Sequence, residues 1–105
     1  MKKILNAILL LSSSFAYGGS QMGTVDYIIV RASDGLTYFT LKGGELKSRP
    51  SCARIGYWMI RDENSTAGKN QLAILLSAQA SGKTIQVQGM NSCERWGDGE
   101  DVNFI

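Results

Sequence analysis

The chain has 105 residues, 11 of them Lys or Arg, 9 Asp or Glu and none His. That length fits one small domain, in which a single core is marginal unless something staples it. Lys2 and Lys3 lie in an apparent export signal; without them 9 basic residues face 9 acidic ones, and a neutral domain has no electrostatic footprint for nucleic acid or for anionic membranes.

The signal reading rests on the first 18 residues. Two lysines precede an apolar run over 4–11, broken only by Asn6, and small residues follow. Ser14-Phe15-Ala16 and Ala16-Tyr17-Gly18 both suit a signal peptidase. The apolar run is well short of the about 20 residues that span a bilayer. The expected organisation is a signal peptide over 1–18 and a single domain over 19–105. The protein is expected to be exported, periplasmic or secreted, with no stable membrane insertion after cleavage.

Residues 18–24 are rich in Gly and Ser and read as a loose lead. VDYIIVRA (25–32) and LTYFTL (36–41) are rich in β-branched and aromatic residues and read as strands, with SDG as the turn of a hairpin. KGGE gives a second turn, and Pro50 argues against a central strand around it. ARIGYWMI (53–60) reads as a third strand. The polar stretch 61–69 contains Asn64-Ser65-Thr66, a glycosylation sequon better read as a loop with a helix cap at Ser65 or Thr66.

A helix is predicted over 67–80. Leu72, Leu75, Leu76 and Gln79 share one face, and Ile74, Ala78 and Ala80 extend burial to a second side. After Gly82 the period becomes two: Ile85 and Val87 face one way, Gln86 and Gln88 the other. A last strand holds Val102 and Phe104. The expected fold is mainly β with one helix, in the order β-β-β-α-β-β, which is the chain order of a five-stranded OB-fold-like barrel.

Cys52 and Cys93 are the only cysteines, and in an exported domain they are expected to form a disulfide. Closing a loop of about 40 residues stabilises by roughly 4 kcal/mol in the chain-entropy account. Gly82-Lys83-Thr84 resembles the end of a phosphate loop, but position 77 is Ser rather than Gly. The order is also reversed, since a helix ends there and its C-terminal dipole repels phosphate. Asp98, Glu100 and Asp101 read as a solvated turn rather than a cation site, because their spacing lacks the oxygen ligands that a hard cation needs.

Catalysis finds little support, and a small hydrolase with an unusual site is only a remote alternative. There is no His for acid–base work, and both thiols are expected to be oxidised. Neither S-x-x-K nor G-x-S-x-G occurs. No cofactor or metal ligand set is expected. Tyr57 and Trp58 are adjacent on a predicted strand, so one of them faces outward. Together with Trp96 they are the expected ligand or interface contacts.

LLSAQASGKTIQVQG followed by CERWGDGEDVNFI resembles small exported bacterial proteins of uncharacterised family. The arrangement is also similar to the OB-fold binding subunits of subtilase-cytotoxin-like AB5 toxins. That resemblance implies a ring-forming, glycan-binding module; no sugar-contacting residue carries over from it. The expectation is therefore an exported non-enzymatic binding module for a glycan or a protein, able to form a homo-oligomer. The other reading is a periplasmic structural or stress-related protein without a small ligand.

Overall fold

A computed structural model describes residues 18–105; apart from Gly18, the expected signal peptide lies outside the described residues. The elements are β1 (Ser20–Val30), β2 (Thr37–Lys42), β3 (Trp58–Met59), α1 (Thr66–Ser81), β4 (Thr84–Gly89) and β5 (Glu100–Phe104). The chain is mainly β with a single helix, in the expected order. The strands close into a ring with neighbours β1-β2-β3-β5-β4.

The long β1 is what lets the ring close. Ser20 to Thr24 pair antiparallel with β4, and from Thr24 to Val30 the same strand pairs with β2. A bulge between Val25 and Ile28 bends the strand where it changes partner. There Tyr27 donates its backbone N–H to Thr40 Oγ1 at 3.2 Å, which satisfies a group the bulge takes out of the ladder.

Residues 20–24 are therefore strand, not a loose lead. Gly23 is needed because a side chain there would collide with the Lys42 carbonyl. The expected third strand over 53–60 shrinks to Trp58–Met59, antiparallel to β2 and parallel to β5. The residues before it belong to a long connection over 43–57, whose one ladder contact is the Ser20–Lys47 bridge.

The core contains Val25, Phe39, Leu41, Trp58, Ile60, Leu75, Ala78, Val87 and Val102. Burying large aromatic and aliphatic side chains of this kind contributes about 1.5–3 kcal/mol each. α1 begins at Ser65, whose Oγ accepts from the Gly68 N–H at 2.9 Å. It ends at Gly82, left-handed at φ 71°, with the Lys83 N–H returning to the Ala78 carbonyl at 3.1 Å.

The helix presses only Gly68, Leu75 and Ala78 fully into the body. Each expected face is buried only in part: Leu75 of the first and Ala78 of the second are buried, whereas Leu76 of the first and Ile74 and Ala80 of the second are exposed. Two glutamines seat the helix instead. Gln71 Nε2 donates to the Asn103 carbonyl of β5 at 3.1 Å, and Gln79 Nε2 to the Asp26 carbonyl of β1 at 3.0 Å. Each caps a strand carbonyl that would otherwise need water. Among the described residues no helix is long and apolar enough to cross a membrane.

Candidate functional site

Three half-buried aromatic rings meet on one face of the ring of strands. Tyr38 comes from β2, Tyr57 directly precedes β3, and Trp96 lies in the connection between β4 and β5. Tyr38 stands edge-on to Tyr57 at 5.0 Å between centroids and to Trp96 at 5.1 Å; Tyr57 and Trp96 are 6.5 Å apart and tilted by 31°. Such edge-to-face packing stabilises by about 0.5–1.5 kcal/mol per pair beyond area burial.

The β1–β2 turn supplies the rim. Gly35 takes φ 75°, and Asp34 Oδ1 accepts the Leu36 N–H at 3.1 Å. This holds Asp34 so that its carboxylate meets Arg31, with Nη2 to Oδ2 at 2.6 Å. The Arg31 guanidinium lies 5.4 Å from the centre of the Trp96 ring, a cation–π contact. The hydrogen bond from Arg31 and the one from the Leu36 N–H bring the Asp34 carboxyl down to about 2. The same pairing raises Arg31.

Below the rings, Arg95 grips Glu63. Arg95 Nη2 also donates to the Asp34 carbonyl at 3.0 Å, and Glu63 Oε2 accepts the Thr37 N–H at 3.0 Å. The hydrogen bond to Glu63 raises the Arg95 pKa. Three connections of the fold converge on this one ion pair.

Two carboxylates shape the loop that carries Trp96. Asp101 Oδ2 accepts from Ser92 Oγ and the Glu94 N–H, both at 2.8 Å, and Oδ1 accepts the Arg95 N–H at 3.1 Å. Glu100 Oε2 accepts the N–H groups of Gly19 at 2.8 Å and Asn91 at 3.0 Å. Both side chains are fully buried. The expected solvated turn of Asp98, Glu100 and Asp101 is thus corrected: Asp98 alone is partly open, paired with Arg54 at 2.7 Å. The buried pair organises backbone rather than facing solvent. Among the described residues no three His, Cys, Asp or Glu side chains are grouped to hold a metal ion.

The expected contact residues separate. Tyr57 and Trp96 come together on the aromatic face. Trp58 does not join them; it is 1% exposed, and its Nε1 donates to Gln21 Oε1 at 2.8 Å. It is a core residue, packed in the cluster with Phe39, Val87 and Val102. Sequence reading missed Tyr38 as a surface ring and missed the Arg31, Asp34, Glu63 and Arg95 supports.

Cys52 and Cys93 are bonded, with their Cα atoms 6.2 Å apart. The bond joins the 43–57 connection to the β4–β5 loop. Beside it, the Ile55 N–H donates to the Asp98 carbonyl at 3.1 Å. Arg49, lying over Trp58 at 6.0 Å, donates to the Ile55 carbonyl. Burial lowers the Arg49 pKa, against the pull of Glu100.

The chain matches no protein-family model, no curated protein and no solved structure.

Proposed function

We propose that this is an exported, non-enzymatic binding module of OB-fold-like barrel type that holds an uncharged saccharide on the Tyr38–Tyr57–Trp96 face. The carrying observation is the position of the three rings. They sit on β2, at β3 and in the β4–β5 loop, with the β1–β2 turn as rim. In barrels of the OB type, the face of strands 2 and 3 and the loops 1–2 and 4–5 take oligonucleotides and oligosaccharides.

Charge favours the saccharide. Arg31 and Arg95 are each matched by a carboxylate, Asp34 and Glu63, so the face offers no net cation to a phosphate chain. Sugars need what is present: ring faces for C–H stacking, and a partly exposed guanidinium and carboxylate at the edge for hydroxyls. The further reading that copies of the chain associate rests on the resemblance to ring-forming toxin subunits.

A glycan array on the folded, oxidised protein tests the proposal, followed by calorimetric titration of any hit. Binding lost in Trp96→Ala is expected. If no neutral glycan binds, or if Trp96→Ala binds unchanged, the proposal fails and a ligand-free structural role takes its place.

A further inference from the structure

We infer that the Cys52–Cys93 disulfide is a redox latch on the aromatic face, so that affinity for ligand follows the thiol state of the surroundings. This rests on the saccharide reading for its consequence, though not for its mechanics.

The two sides of the bond are held very differently. On the Cys93 side, the Asp101 carboxylate binds Ser92, Glu94 and Arg95, and Arg95 in turn binds Glu63 and the Asp34 carbonyl. Trp96 and its packing on Tyr38 are therefore secured without the sulfur bond. On the Cys52 side, the bonds of residues 50–54 are internal to the segment: Ala53 N–H to the Pro50 carbonyl and Arg54 N–H to the Cys52 carbonyl.

Few contacts tie this stretch to the opposite loop. They are the disulfide, the Ile55–Asp98 backbone bond and the Arg54–Asp98 pair, whose side chains are 75% and 40% exposed. An exposed pair of that kind holds little. Tyr57 lies at the end of this stretch, after the exposed Gly56. Arg49 still holds the Ile55 carbonyl, so cutting the sulfur bond loosens the 50–56 stretch and the wall beside Tyr57 from the opposite loop, while the ring of strands and the Tyr38–Trp96 pair stay.

The chemistry is thiol–disulfide exchange. A dithiol reductant supplies two electrons and two protons; the Cys52–Cys93 bond breaks to two thiols as the reductant closes its own disulfide. Both cysteines are only half-buried, so the bond lies outside the sealed core.

The test compares oxidised protein, dithiothreitol-reduced and alkylated protein, and the Cys52→Ser/Cys93→Ser variant. Amide hydrogen exchange is read without ligand. The latch predicts at least tenfold faster exchange for Ile55, with exchange at Glu94 and Arg95 unchanged and far-ultraviolet dichroism retained. The affinity for the glycan that binds oxidised protein should fall about three- to tenfold. Unchanged exchange at Ile55 overturns the latch. So does global loss of dichroism, which would make the bond a general staple. If oxidised protein binds no glycan, only the saccharide reading fails, and the exchange pattern still decides the latch.

Discussion

Arg95 and Glu63 meet side by side: Arg95 Nε lies 3.1 and 3.0 Å from the two carboxylate oxygens, and Nη2 lies 3.0 Å from Oε1. The pair connects the residue before Trp96 to the N–H of Thr37, the residue before Tyr38. Two rings of the candidate face are thus set by one carboxylate that touches neither. Both partners are about four-fifths buried, so removing one leaves the other poorly solvated.

Glu63→Ala should therefore cost about 1–3 kcal/mol of stability, the range for a buried group left without its partner. It should also disorder Trp96 against Tyr38. Urea unfolding reads the first effect and near-ultraviolet dichroism the second. Glu63→Gln, which keeps an acceptor for Thr37, should retain more of both.

The two tryptophans should separate stability from binding. Trp58→Ala empties the core and strands Gln21, so a loss of about 3–5 kcal/mol is expected. Trp96→Ala should cost about 1 kcal/mol while weakening saccharide binding at least tenfold. Urea midpoints and calorimetric titration on the same samples check the contrast. Equal losses of stability would contradict it.

Acid should release the rim before the ring. Asp34 is depressed from about 3.9 in an unfolded chain to about 2 when folded. A depressed carboxyl stabilises fully above its unfolded value and loses that stabilisation as pH falls through its folded one. The Arg31–Asp34 contact should thus persist to about pH 3, be half lost near 2 and vanish only below it. Because Arg31 lies over Trp96, the indole emission should change over that window. Asp34→Asn should abolish the transition.

Glycine substitutions should distinguish crowding from backbone strain. Gly89→Ala drives a methyl into the buried Glu100 carboxylate, and Gly19→Ala places one 2.6 Å from Arg49 Cγ and Glu100 Oε1. Each is expected to cost at least 1–3 kcal/mol, as overpacking does. Gly82→Ala meets open space but must hold φ 71°, for which about 1–2 kcal/mol is expected. Thermal denaturation of the three variants orders them.

Local chemistry was the readable part of the sequence. The switch from helix to strand at Gly82 follows from period and polarity over a few residues, and the cap at Ser65 is equally local. The buried carboxylates were not readable, because DGED has the composition of a surface turn. Only the folded ring shows that Glu100 faces Gly19, 81 positions away. The glycines of 18–23 misled for a related reason: they mark close approach of backbones, and composition alone cannot tell that from looseness. Alternation gave opposite faces to Tyr57 and Trp58 but could not say which face was core. Tyr38 became part of the site only when the β4–β5 loop brought Trp96 against it.

The parallel seam between β3 and β5 uses two rungs, Trp58 with Glu100 and Met59 with Asp101. The long connections that carry Tyr57 and Trp96 both lead into it. With so few residues fixed at the join, extra length in the 43–51 stretch shifts no rung of the seam. The 43–51 stretch is in this sense separable from the frame, whereas the Trp96 loop is not, because Glu100 and Asp101 of the seam itself hold its backbone.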